Sequence, residues 1–251
     1  MEKKEQYILQ SADNTLAVLE LFREYEELGS SEVAAIMGIG KSTAFRLLST
    51  LENRRYLIKL PNNKYGLGIK LFSLGQIVKK RLSIKNVIHP YLLELSKISG
   101  ETTHLVVWYD ELNVIFIDKV LSSAAIRMDS YEGFILPAYF TGSGKALLST
   151  LPDDKVYEYA RNTKFVQRMP NTINSAARLY QEIDIIRQKG YALDNEESEP
   201  GLFCLAVPLV DKMNITQCAV SISGPALRMK ENLEGNIELI LRMSQDISKE
   251  L

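Results

Sequence analysis

The stretch Ala35–Thr43, AIMGIGKST, carries the residue types of a phosphate-binding loop: a small residue, four others, then Gly-Lys-Ser. Further on, Val114–Asp118, VIFID, is an apolar run ending in an acid, the form of a magnesium-binding strand. A second glycine-lysine pair lies in Thr141–Leu148, TGSGKALL. Together these would do nucleotide hydrolysis. A phosphate loop, however, leaves a buried strand and opens a helix, so that backbone N–H groups wrap the phosphates. The residues ahead of Ala35 are LGSSEVA, which is no apolar strand. Ser31 stands as a helix N-cap with Glu32 behind it, and Val33, Ala34, Ile36 and Met37 follow helical spacing. The strand that hydrolysis needs is missing, and Asp118 reads as a strand-end residue of a β-hairpin rather than a metal ligand.

What positions Lys41 and its neighbours is a pair of helices. A short helix ends at Gly38, which can take the left-handed conformation, and a second opens near Lys41. Ala34 and Ala44 are small where the two must cross, and Ala44, Leu47, Leu48 and Leu51 make an apolar stripe. This is the grammar of a helix-turn-helix. Lys41, Ser42, Thr43 and Arg46 then lie at the end and outward face that meet base edges and phosphates in such motifs. Two β-prone runs flank Pro61-Asn62-Asn63-Lys64, a turn, and predict a wing whose basic tip would rest on phosphate. An earlier helix is expected to close the small core with Leu16, Leu19 and Phe22. From Ile36 to Arg81 ten cations face Glu52 alone, the electrostatic footprint of a nucleic-acid site, although the chain's net charge is only −1.

The remaining composition is that of a globular chain, with no apolar run near the ~18 residues of a membrane span. Two cysteines make no disulfide framework and suit a reducing cytoplasm. With two histidines besides, the residues call for no metal site, and nothing calls for a cofactor.

With the winged helix in place, the chain resembles the IclR family of bacterial transcriptional regulators over nearly its full length. One matching block is SSEVAAIMGIGKSTAFRLLSTLENRRYL with YGLG after it; the second is Lys189–Pro225. In the second block Gly190, Asp194, Glu197, Cys204, Leu205, Ala206, Leu209 and Asp211 meet the family spacing. Val210 and Gly40 depart from it, the family commonly having an aromatic or histidine and a proline there. The resemblance implies an α+β chain of three parts. These are a winged helix-turn-helix over 1–68, a linker helix over 69–84, and an effector-binding domain over 85–251. The last would be a profilin-like, GAF-related α/β fold with a mainly antiparallel sheet. It further implies a cytoplasmic, non-enzymatic regulator that binds double-stranded operator DNA as a homodimer or dimer of dimers. DNA contact falls to Ser31, Lys41, Ser42, Thr43, Arg46, Asn63 and Lys64.

In the second part, the helix Lys85–Ser99 is expected to bend or begin near Pro90, and AAIRM (124–128) to form a strand. Alternation in GLFCLAVPL puts Leu202, Cys204 and Ala206 on one face and Phe203, Leu205 and Val207 on the other. In ITQCAVSIS an apolar Cys218, Val220 and Ile222 oppose Ala219, Ser221 and Ser223. Folding these strands back through a four-residue loop near Met213 sets Cys204 beside Ser221 or Ser223, and several residues from Cys218. Hydroxyls, a thiol and Asp194 suit a small polar metabolite. The family resemblance adds Met128, Leu202 and the helix start at Gly142 and Ser143, whose N–H groups suit a carboxylate. The alternative is that these residues only fill the interface between sheet and helix.

Overall fold

Apolar periodicity and glycine stops divide the first 81 residues into short elements. The computed structural model describes residues 7–128, 130–211 and 215–251, without the side chain of Gln217. Helices α1 (Gln10–Leu21), α2 (Ser30–Met37) and α3 (Lys41–Asn53) precede strands β1 (Leu57–Lys59) and β2 (Tyr65–Leu67) and helix α4 (Ile69–Arg81). Gly38 ends α2 at φ 65°, a conformation that costs a side-chain-bearing residue more than glycine. Val18, Phe22, Val33, Ala44, Leu48, Leu51, Leu57 and Tyr65 fill the core. Leu16, expected there, is 60% exposed; Val18, completely buried, takes the position four residues before Phe22.

The start of α2 also differs from expectation. Gly29, not Ser31, is the N-cap, because the Glu32 carboxylate reaches back to the Gly29 N–H at 2.6 Å. Ser31 is an exposed residue of the first turn. The wing is antiparallel, with Leu57 opposite Leu67, and Leu28 adds a bridge to Tyr65 through two backbone bonds.

Chain proximity separates residues 1–81 from residues 82–251. The second unit opens with α5 (Ser83–Ser99), followed by the hairpin β3 (Thr102–Trp108) and β4 (Asn113–Val120), then β5 (Ile135–Pro137). Helices α6 (Gly142–Ser149), α7 (Asp153–Asn162) and α8 (Ala176–Lys189) come next. They lead to β6 (Ala192–Asn195), β7 (Leu202–Val210), β8 (Thr216–Pro225), α9 (Ala226–Glu231) and α10 (Leu233–Glu250). Six strands form one sheet in the order β5-β4-β3-β8-β7-β6, with every neighbouring pair antiparallel. One face packs Ala206 and Ala219 against α6 and α8; the other packs Phe203, Leu205, Val207, Cys218, Val220 and Ile222 against α5 and α10.

Three expectations are corrected in this unit. Helix α5 does not begin near Pro90 but runs from Ser83 to Ser99 with Pro90 inside it, and Ile88, Leu92 and Leu95 are buried at helical spacing. Residues 124–128 are not a strand. Ala124 N donates to Ser122 Oγ and Arg127 Nη1 to the Ala124 carbonyl, local bonds that compete with a ladder, and β5 takes the edge beside β4. Asp118 lies inside β4 rather than at its end, buried against Lys85 Nζ at 2.8 Å and His89 Nδ1 at 2.7 Å. The loop around Met213 lies outside the described residues.

Candidate functional site

The β7–β8 register sets Cys204 opposite Ser223 and Ala206 opposite Ser221, so thiol and hydroxyls share one face. Both cysteines are free, and Cys218 pairs in register with Leu209, on the opposite face of the sheet. Helix α6 crosses that face closely. A Cβ on Gly142 would sit 3.5 Å from the Asp194 nitrogen and the Cys204 Cβ, and one on Gly144 would strike the Ala138 backbone at 2.4 Å. Gly142 thus lies in van der Waals contact with the sheet, and the close approach of α6 to Ala138 requires glycine at 144.

A small cavity of about 20 Å³ opens between these elements. All eight residues expected at an effector site line it: Met128, Gly142, Ser143, Asp194, Leu202, Cys204, Ser221 and Ser223. Sequence reasoning missed Phe116, Leu136, Thr141 and Ser198, which complete the wall. Alternation within VIFID could have pointed to Phe116, whereas nothing local marks Ser198, four residues after Asp194. The Thr141 hydroxyl oxygen caps α6 by accepting from Gly144 N at 3.1 Å. The N–H groups of Gly142 and Ser143, in the first turn, have no intrahelical acceptor. A wider cleft of about 710 Å³ between the β3–β4 turn and α7 is open to solvent and holds none of the expected residues.

Electrostatics around the cavity are unusual for so small a space. Asp194 is buried; its Oδ1 accepts from Glu197 N at 2.8 Å and its Oδ2 from the Ser198 hydroxyl at 2.6 Å. Burial raises its carboxyl above the ordinary value, and burial raises the Cys204 thiol well above its own. A neutral thiol without a base is a poor nucleophile. Behind the wall Lys145 is completely buried and donates to Glu197 Oε1 at 2.5 Å and Glu182 Oε1 at 3.1 Å. Burial opposes its charge, but Glu197 and Glu182 outweigh burial and hold the ammonium above the usual lysine range. Burial pushes Glu197 up to about 7, against the pull of Lys145, and its Oε2 has no hydrogen-bond partner among the described residues.

That shift predicts a pH dependence. Between the ordinary value of 4.5 and about 7 the folded chain holds a proton on Glu197 that the unfolded chain has released. The stabilisation is present below that interval and lost as pH rises through it. Thermal unfolding should therefore move to lower temperature from about pH 5 to about pH 7.5, and Glu197→Gln should flatten the trend. An equal decline in the variant would assign it to other groups.

In the N-terminal unit Lys41, Ser42, Thr43 and Arg46 are exposed on the first two turns of α3, and Asn63 is exposed at the wing tip with φ 61°. Lys64 differs from the rest. Its ammonium is 3.0 Å from Glu32 and 3.5 Å from Glu27, and Asn62 Nδ2 donates to Glu27 at 3.0 Å. The wing is thus tied to α2 through the very lysine expected on phosphate.

An exposed helix of a helix-turn-helix beside a wing, carried by a chain with a separate cavity-bearing α/β unit, defines a DNA-binding regulator with an effector domain. The family model for the bacterial transcriptional regulator IclR C-terminal domain matches residues 76–249, and that for the IclR helix-turn-helix domain matches residues 11–61. The chain belongs to the IclR family of transcriptional regulators. It is 32% identical to the HTH-type transcriptional regulator KdgR of Dickeya chrysanthemi, over 93% of this chain and 77% of that protein. The crystal structure of the Thermotoga maritima IclR is similar with a TM-score of 0.72 at 30% identity, covering 96% of this chain and 98% of that one. An IclR homolog from Microbacterium hydrocarbonoxydans, solved in complex with 4-hydroxybenzoate, shares the fold with a TM-score of 0.80 at 20% identity. That likeness covers 95% of this chain and 98% of the homolog. Among the described residues no group of three or more His, Cys, Asp and Glu side chains could hold a metal ion, and no helix is long and apolar enough to cross a membrane.

Proposed function

We propose that α3 and the wing bind double-stranded operator DNA, and that a small carboxylate held in the C-terminal cavity alters this binding. One observation carries the reading of the cavity. Two serine hydroxyls from β8 and the first turn of α6 converge on one buried space whose acid, Asp194, already has both oxygens engaged. Hydroxyl protons and helix N-terminal N–H groups favour an anion. The homolog that binds 4-hydroxybenzoate makes a hydroxylated carboxylate a reasonable first ligand to try. At about 20 Å³ the space admits about one water, so a ligand must displace parts of the wall.

The chain acts in this reading as a homodimer or dimer of dimers. Support comes from apolar side chains left on the N-terminal helices: Leu16 of α1 is 60% exposed, and Ile69 and Phe72 of α4 are 77% and 63% exposed. A twofold pair of α3 helices would read half-sites separated by whole turns of DNA.

The test is calorimetry with a panel of small carboxylates that includes 4-hydroxybenzoate. At least one should bind, and Ser221→Ala, which adds no volume to a tight site, should weaken it about ten-fold or more. Unchanged affinity in the variant, or no binding across the panel, would overturn the carboxylate assignment.

A further inference from the structure

His104, in the middle of β3, is completely buried and reaches two serines. Its Nε2 lies 2.7 Å from Ser130 Oγ, and its Nδ1 lies 3.4 Å from Ser221 Oγ. The β3–β8 register places His104 directly opposite Ser221, so both side chains leave the same face of the sheet. The imidazole meets the Phe116 ring edge-on at right angles, with centroids 5.0 Å apart, which fixes its plane. Phe116 and Ser221 line the cavity. Ser130 is itself anchored, because its carbonyl accepts from the Lys119 ammonium.

Burial, with the Lys119 charge as a smaller contribution, holds the imidazole down to about 3, so it is neutral at any working pH. A neutral imidazole has one donor nitrogen and one acceptor nitrogen. Hydroxyl donors approach more closely than N–H donors, which favour about 2.9–3.0 Å. The 2.7 Å contact therefore fits the Ser130 hydroxyl donating into Nε2. The ring proton then sits on Nδ1 and faces Ser221 Oγ.

We propose that His104 is a positioning residue of the cavity, whose Nδ1–H fills an acceptor site of Ser221 and leaves the Ser221 proton to be donated to the ligand. The relay from the Ser130 hydroxyl through His104 to Ser221 fixes a direction of hydrogen bonding that ends in a donor, while Lys119 holds the Ser130 backbone in place. The cavity thereby selects an acceptor, the carboxylate oxygen, over an ammonium or amide N–H at that position. This rests on the reading of the cavity as the ligand site.

The test uses the full chain with ¹⁵N-labelled histidine and long-range proton–nitrogen correlation spectra. The chain has two histidines, and a His89→Gln variant assigns the signals. His104 should show a protonated Nδ1 and an unprotonated Nε2, unchanged between about pH 5 and about pH 8. Ser130→Ala removes the donor to Nε2 and should shift part of the population to the Nε2–H form. A wild-type ring protonated on Nε2 or on both nitrogens would overturn the proposal, as would a Ser130→Ala spectrum identical to the parent's. A ring kept only for packing would give that identical spectrum. Neither outcome depends on ligand binding, so failure here is distinct from failure of the carboxylate reading in calorimetry.

Discussion

Arg46→Ala should weaken binding to the selected operator by roughly 5- to 150-fold, with a much smaller change on unrelated duplex. The side chain is exposed on the second turn of α3, behind a core of Ala44, Leu48 and Leu51 that it does not join, so folding should be unaffected. An arginine at this place can bond a guanine edge through two parallel N–H groups, and that contact carries sequence information. A residue that only touched phosphate would lose affinity evenly on all sequences and lower the salt dependence. Fluorescence anisotropy on operator and scrambled duplexes at two salt concentrations separates the cases. An equal loss on both duplexes would place Arg46 on the backbone; no loss on either would remove α3 from the interface.

Lys145→Met should destabilise the second unit by about 3–5 kcal/mol, read from urea unfolding. The lysine's ammonium faces Glu197, Glu182 and Asp194, and without it the buried Glu197 and Asp194 lose that compensation. The loss should grow as pH rises, since the acids relieve the strain by taking up protons. Adding Glu197→Gln should recover part of it. A single variant within about 1 kcal/mol of wild type would mean that the cluster is hydrated or already neutral. The lysine of the second glycine-lysine pair is thus a structural ion behind the cavity wall.

The helix-turn-helix was legible because its signals are local: Gly38 at a positive φ, small Ala44 at the crossing, and a stripe at helical spacing. The cavity was legible for a different reason. Strict alternation in β7 and β8 decides which face each side chain takes, and one register then brings Cys204 to Ser223. Failures arose where tertiary contacts decide. Nothing local says that Val18 rather than Leu16 turns inward, or that residues 124–128 lose the sheet edge to Ile135–Pro137. The tie from Lys64 to Glu27 and Glu32 spans more than thirty residues, and the Lys145–Glu197 pair 52. Charge counts saw these residues only as free charges. His104 and Ser221 stand 117 residues apart, and only the β3–β8 pairing joins them.

In the proposed function, ligand in the cavity and DNA on α3 are coupled in free energy. The most direct measurement is anisotropy of a labelled operator, selected from random duplexes by the full chain, titrated with a carboxylate that calorimetry shows to bind. A saturating ligand should change operator affinity of the wild type by roughly 5- to 150-fold and leave Ser221→Ala unmoved at the same concentration. An operator affinity that the bound carboxylate does not change, or an undiminished response in Ser221→Ala, would contradict it.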